Sequence, residues 1–125
     1  MAKLLIVEDD ESVRTLAARA LERAGHSVTV AADGAQGLGL IRAALGGYDL
    51  VVSDIRMPEM DGIEMAKAAA ALFPTMKILL MTGYADQRER ASGLDALIRD
   101  VIAKPFTLFE IQTAVASALA ASPRL

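Results

Sequence analysis

Five short β-forming runs punctuate the chain: Lys3–Val7, Ser27–Ala31, Asp49–Ser53, Lys77–Met81 and Val101–Ala103. All have strand length, and most lack the apolar/polar alternation of a sheet with one wet face, so they predict strands covered on both sides. Between them the apolar spacing becomes helical. Val13, Leu16, Ala17, Ala20, Leu21 and Ala24 share one face of Glu11–Ala24, with Arg14, Arg19, Glu22 and Arg23 on the others and Gly25 as the stop. Asp10 is placed to cap this helix. Asp33-Gly34 reads as a turn ahead of a weaker, glycine-bearing helix over Ala35–Leu45, ended by Gly46-Gly47. A third helix fits Gly62–Leu72 and stops before Pro74. A fourth fits Tyr84 to about Leu97, although Asp86–Arg90 is strongly polar and Gly93 interrupts it; Leu108, Ile111, Val115 and Leu119 mark a last one.

Strands alternating with helices predict an α/β fold with a parallel sheet, helices on both faces and right-handed crossovers. Its simplest form is the flavodoxin-like (βα)5 arrangement with strand order 2-1-3-4-5. The 125 residues suit one domain. Hydrophobic residues make up 54%, yet only three Phe and two Tyr are present, so the core must be aliphatic and methionine-rich. A net charge of −3 and the lack of a Lys/Arg-rich run argue against direct nucleic-acid binding. The absence of cysteine excludes disulfide and thiol chemistry. The apolar start Leu4–Val7 is too short for a signal core or a membrane span, so a cytoplasmic location is the expectation.

The strand ends carry the chemistry. The first run leads into Glu8-Asp9, the third into Asp54, the fourth into Thr82 and the fifth into Lys104. In the order 2-1-3-4-5 the switch point lies between strands one and three, which brings the three carboxylates together with a hydroxyl and an ammonium alongside. Taken alone, Asp54 before a Pro- and Gly-bearing loop reads equally well as a local backbone acceptor. The cluster is harder to dismiss: carboxylates about 4 Å apart repel by some 4 kcal/mol per pair at an effective dielectric near 20. Such a set calls for a divalent cation or raised pKa values, and with no His or Cys among the donors the cation is Mg2+ rather than zinc. Lys104 and Thr82 then suit the oxygens of a transferred phosphoryl group, leaving one carboxylate free to attack.

The acidic pair, the segment Asp54-Ile-Arg-Met-Pro-Glu-Met-Asp-Gly62, Met81-Thr-Gly83 and Lys104-Pro-Phe106, in this order and spacing, resemble a two-component response-regulator receiver domain over essentially the whole chain. The resemblance implies Asp54 as phosphoacceptor, Glu8 and Asp9 as the Mg2+-binding pair, and Arg56 as donor of a metal-binding backbone carbonyl. It further implies that Thr82 and Lys104 contact the phosphoryl group and that the Lys104–Pro105 bond is cis. The phosphodonor would be a histidine kinase or a histidine phosphotransferase. Residues 1–121 are expected to form the receiver unit and 122–125 a short flexible tail, with no output domain, so that the signal leaves by protein contact. A narrower likeness, over Met81–Leu108, is to the CpdR group of stand-alone alphaproteobacterial receivers. It implies an adaptor for the ClpXP protease that acts unphosphorylated; a phosphorelay intermediate or sink is the alternative.

The chain also departs from the family pattern. Many receivers carry an aromatic residue three positions before the lysine, where this chain has Val101, so the usual aromatic switch is absent. Tyr84 could take over part of that work, or stand over the phosphoryl group and slow its hydrolysis, or simply cap the core edge. Arg88 and Arg90 are candidate partner contacts on the polar helix, as is Phe106 beside the lysine. His26 has no acid at catalytic spacing and reads as a surface residue, and Met57 and Met60 read as packing beneath the loop. A haloacid-dehalogenase-like phosphatase also uses strand-end Asp, Thr and Lys with Mg2+. It needs a second Asp two residues after the nucleophile, where Arg56 stands, and a cap domain for which there is no room. A pseudo-receiver indifferent to phosphorylation is disfavoured by the complete acidic, Thr and Lys set.

Overall fold

The computed structural model describes residues 2–57, 59–83 and 100–120. Their order is β1 (Lys3–Val7), α1 (Glu11–Arg23), β2 (Ser27–Ala31), α2 (Gly34–Ala43), β3 (Leu50–Asp54), α3 (Gly62–Leu72), β4 (Ile78–Thr82), β5 (Asp100–Ala103) and α4 (Leu108–Ala120). The helix expected over Tyr84–Leu97 falls outside the described residues. The strands pair in parallel in the order β2-β1-β3-β4-β5, the flavodoxin-like order.

Because successive side chains on a strand point to opposite faces, each apolar run feeds two cores. Leu5 and Val7 of β1, Val51 of β3 and Ile78 and Leu80 of β4 pack with Leu38 and Ile41 of α2 and Ile63, Met65 and Ala69 of α3. Leu4, Ile6, Leu50, Val52, Leu79 and Met81 pack on the other face with Ala17, Ala20 and Leu21 of α1 and Ile111 and Val115 of α4. Each fully buried Leu or Ile contributes roughly 1.5–3 kcal/mol of transfer free energy. The three central strands are therefore a rigid base for whatever stands at their ends.

Capping fixes where the helices begin. Asp10 Oδ1 accepts the Val13 N–H at 3.1 Å, as the sequence predicts. The second helix starts at Gly34 rather than Ala35 because Asp33 accepts the Gln36 N–H at 2.7 Å while the Gln36 side chain accepts the Ala32 N–H at 2.7 Å. It ends at Ala43, short of the predicted Leu45, where Leu45 and Gly46 turn to φ 52° and 70°. Reciprocal capping boxes open α3 through Asp61 and Glu64 and α4 through Thr107 and Glu110.

Two strands sit one residue later than the apolar pattern predicts: β3 is Leu50–Asp54, not Asp49–Ser53, and β4 is Ile78–Thr82, not Lys77–Met81. The backbone ladder carries on past the last apolar residue. The Ile55 N–H donates to the Met81 carbonyl at 3.0 Å and the Lys104 N–H to the Thr82 carbonyl at 2.8 Å. Asp54 and Thr82 are thus the last residues of their strands and not the first of their loops, which holds their backbones in the sheet.

Candidate functional site

At the carboxyl edge of the sheet, β1 delivers Glu8 and Asp9, β3 delivers Asp54 and β5 delivers Lys104. With Asp10, Val13 and Arg56 they line one cleft of about 290 Å³. One oxygen from each of Glu8, Asp9 and Asp54 lies within 4.8 Å of the others. Glu8 is fully buried and Asp54 nearly so, whereas Asp9 is exposed. Lys104 Nζ stands 2.7 Å from Glu8 Oε1 and 3.1 Å from Asp54 Oδ1. One ammonium thus bridges the two buried carboxylates, and the exposed third leaves the cluster open to solvent on its side.

Burial pushes the Glu8 carboxyl up to about 7, against the pull of its bond from Lys104 and with the Asp54 charge adding to the rise. Burial likewise raises Asp54, opposed by Lys104 and reinforced by Asp9. For Lys104 burial acts downward, but the Glu8 bond and the two carboxylate charges outweigh it and the ammonium is held above its usual range. Lys104 is bonded to the two buried acids, while the third, Asp9, faces solvent. The remaining Glu8 oxygen, Oε2, accepts the Asp10 N–H at 3.2 Å, and Arg14 Nη1 donates to the Glu8 carbonyl at 2.9 Å. Arg14 read from sequence as part of a solvated helix face; only its position four residues after the Asp10 cap hinted that it reaches back to the strand end.

Thr82 ends β4 at the same edge, 2% exposed. Val101 lies half-buried in β5, opposite Leu80 in register, with its side chain against the α2/α3 core. The Lys104–Pro105 bond is cis and Pro105 is exposed. Phe106, expected to face a partner, is only 8% exposed and belongs to the α1/α4 core, because the chain must cover Ile6 and Met81 as it turns into α4. Its free edge joins Val13, Leu16, Lys104 and Pro105 around an apolar cleft of about 260 Å³ next to the acidic one. Met57 is buried beneath the loop and Met60 partly so, as expected. Tyr84, Arg88 and Arg90 lie outside the described residues.

The loop after β3 is braced at its far end. The Gly62 N–H donates to the Ile55 carbonyl at 2.7 Å, and a Cβ on Gly62 would collide with the carbonyl oxygen of Asp54. Glycine is needed here so that the start of α3 can lie against the residue bearing the central carboxylate.

A parallel five-stranded sheet with this acidic cleft at its carboxyl edge is the architecture of a phosphoryl-accepting signalling domain. The chain belongs to the response regulator receiver domain family, whose model it matches over residues 4–116. Response regulator MprA of Mycobacterium sp. (strain KMS) is 38% identical over 109 residues, 87% of this chain and 46% of MprA. The chain therefore spans about half the length of the curated relatives it matches. Chemotaxis response regulator CheY4 of Vibrio cholerae is similar in structure, with a TM-score of 0.84 at 29% identity over 94% of this chain and 98% of that one. The response regulator TrrA of Thermotoga maritima, solved in complex with Mg(2+)-BeF, gives a TM-score of 0.84 at 29% identity over 94% and 99%. Receiver domains take phosphoryl groups from histidine kinases and act in signalling. Among the described residues, no helix is long and apolar enough to cross a membrane.

Proposed function

We propose that Asp54 accepts the phosphoryl group and that the change of charge is read by a protein partner. The observation that supports this most directly is the Lys104 bridge, which puts one ammonium between the two buried carboxylates at the carboxyl edge of the sheet. An Asp54 carboxylate oxygen attacks the phosphorus of a phosphohistidine on a histidine kinase or phosphotransferase. The O–P bond forms as the P–N bond breaks, and the departing imidazole takes its proton from solvent. Lys104 moves its bond from Asp54 to a phosphoryl oxygen, and the Thr82 hydroxyl donates to another.

The donor set fits Mg2+: carboxylate oxygens only, converging within 4.8 Å and open on the Asp9 side. Asp9, Asp54 and the Arg56 backbone carbonyl would hold it. Both Glu8 oxygens already accept bonds, from Lys104 and from the Asp10 N–H, so Glu8 serves better through a water than as a direct ligand. When bound, the ion offsets charge on the transferring phosphoryl group and screens the acids from one another. A Mg2+ complex of the structural neighbour TrrA supports the same choice of cation. Intact mass after incubation with acetyl phosphate and Mg2+ tests the assignment: one added phosphoryl group, lost in Asp54→Ala and without Mg2+, is expected. An adduct that persists in Asp54→Ala refutes it.

The finer reading is that the unphosphorylated form is a CpdR-like adaptor for the ClpXP protease in the cytoplasm and that phosphorylation ends this role. Its support is the sequence likeness over Met81–Leu108; the MprA-type relatives add nothing to it. Capture of ClpX by the wild type and by Asp54→Ala, but not by acetyl-phosphate-treated wild type, is the expected result. Equal capture in both states, or none, leaves a phosphorelay intermediate or sink as the reading.

A further inference from the structure

Gly34, the first residue of α2, lies on a different element from every group in the acidic cleft. It is buried, and a Cβ built on it would collide with the carbonyl oxygen of Met60 and come within 3.1 Å of the Met60 Cβ. Its φ is not in the left-handed region, so the requirement for glycine is one of space and not of backbone conformation. Met60 immediately precedes the Asp61 cap and Gly62. Gly62 in turn donates to the Ile55 carbonyl and lies against the carbonyl of Asp54. A continuous backbone contact therefore runs from the first turn of α2, through Met60 to Gly62, and ends on the carbonyls of Asp54 and of Ile55, the residue after it.

We propose that Gly34 is a positioning residue for the acidic site: its missing side chain sets how close the β3–α3 loop lies to α2, and through Gly62 where Asp54 stands relative to Asp9 and Lys104. The contact is backbone against backbone. A methyl group at Gly34 cannot be accommodated by a rotamer change, so the loop or the helix end has to move. Mg2+ demands near-ideal octahedral geometry, which makes its affinity the sensitive reporter of such a shift.

Helix α2 supplies its own controls. A Cβ on Gly39 meets nothing within 4 Å, so Gly39→Ala changes helix propensity alone. A Cβ on Gly37 comes within 2.8 Å of Val7 Cγ2 and 3.1 Å of Met65 Sδ, so Gly37→Ala strains the core without touching the loop.

The inference rests on Asp54 phosphorylation with Mg2+. The test titrates Mg2+ into the intact chain by two-dimensional NMR, beside acetyl-phosphate labelling, for the wild type and the three alanine variants. Gly34→Ala is expected to weaken Mg2+ binding roughly tenfold, as loss of a supporting contact around a metal site typically does. It should slow labelling in parallel, while Gly37→Ala lowers Tm with little change in Mg2+ affinity, and Gly39→Ala raises Tm slightly through helix propensity and leaves Mg2+ affinity and labelling as in the wild type. Wild-type affinity in a folded Gly34→Ala overturns the proposal, as does an equal loss in Gly37→Ala. If Gly34→Ala does not fold, the wild type still decides: the Gly34 amide should shift with the same Mg2+ midpoint as Met60 while Gly39 stays still, and an unmoved Gly34 refutes the coupling. A wild type that neither binds Mg2+ nor labels removes the phosphoacceptor reading, and this inference with it; labelled wild type with a normal Gly34→Ala removes only the inference.

Discussion

The two edges of this sheet are built from similar materials and do different things. At the amino edge lies the larger cavity, about 730 Å³ against 290 Å³ for the acidic cleft, lined among others by His26, Tyr48, Asp49, Phe73 and Lys77. Three of its polar side chains are tied to backbone. Asp49 Oδ2 accepts the Lys3 N–H at 2.7 Å, Lys77 Nζ donates to the Leu119 carbonyl at 2.8 Å, and His26 Nδ1 accepts the Ala2 N–H at 3.2 Å. At the carboxyl edge the charges answer mainly to one another, and Glu8 and Lys104 are both displaced from their ordinary titration ranges. Cavity size alone points to the amino edge. Convergence of partly compensated charge marks the chemistry, because the energy of those groups changes when a charged ligand arrives.

The largest expected effect is at Asp54. Asp54→Ala should abolish phosphoryl uptake, read by intact mass, whereas Asp49→Ala at the other edge should label at the wild-type rate. Next comes Lys104→Met, expected to slow labelling roughly a hundredfold, in line with the loss of one preorganised charge donor. Its effect on stability depends on pH. Without the lysine, Glu8 and Asp54 are buried anions lacking their counter-charge, costing about 1–3 kcal/mol near pH 8 by denaturant titration. The loss should shrink near pH 5, where Glu8 takes up a proton.

The wild type carries a pH signature of its own. Glu8 holds its proton up to about 7 when folded, against an ordinary 4.5, so the folded chain binds more protons than the unfolded one in that window. The contribution is fully present below about pH 4.5 and is lost as the pH rises through about 7, with Asp54 shifted in the same sense. It amounts to on the order of 3 kcal/mol for Glu8. Glu8→Gln should flatten the fall in Tm between pH 5 and 8, and Mg2+ should restore stability to the wild type mainly at the upper end. A wild-type Tm with the same pH slope as Glu8→Gln would show that the carboxyl edge is no more strained than the amino edge. The smallest effect belongs to the amino edge itself: Asp49→Ala should cost about 1 kcal/mol for one backbone hydrogen bond and leave Mg2+ affinity unchanged.

Much of this was legible before any coordinates. The apolar runs located all five strands to within a residue, since a strand buried on both faces has few alternatives to being apolar throughout. Asp10 declared its helix start, and the acids, threonine and lysine declared themselves by following the runs. Where the reading slipped, backbone bonding was responsible. The one-residue shifts of β3 and β4 come from ladder bonds that continue past the apolar residues, and no side chain signals them. His26, read as a surface residue, is half-buried and bonded to the Ala2 N–H, and Phe106, read as a partner contact, closes a core.

The sequence by itself determined the fold class and which polar side chains end the strands, because these follow from local periodicity and from residue chemistry. Only the tertiary structure decided how the charges are shared. That Lys104 bridges Glu8 and Asp54, that Glu8 is buried while its neighbour Asp9 faces solvent, and that Gly34 abuts the loop behind Asp54 all depend on residues far apart in the chain. Distances between separate elements, and the burial that goes with them, set the electrostatic energies, and neither is written in any local stretch of sequence.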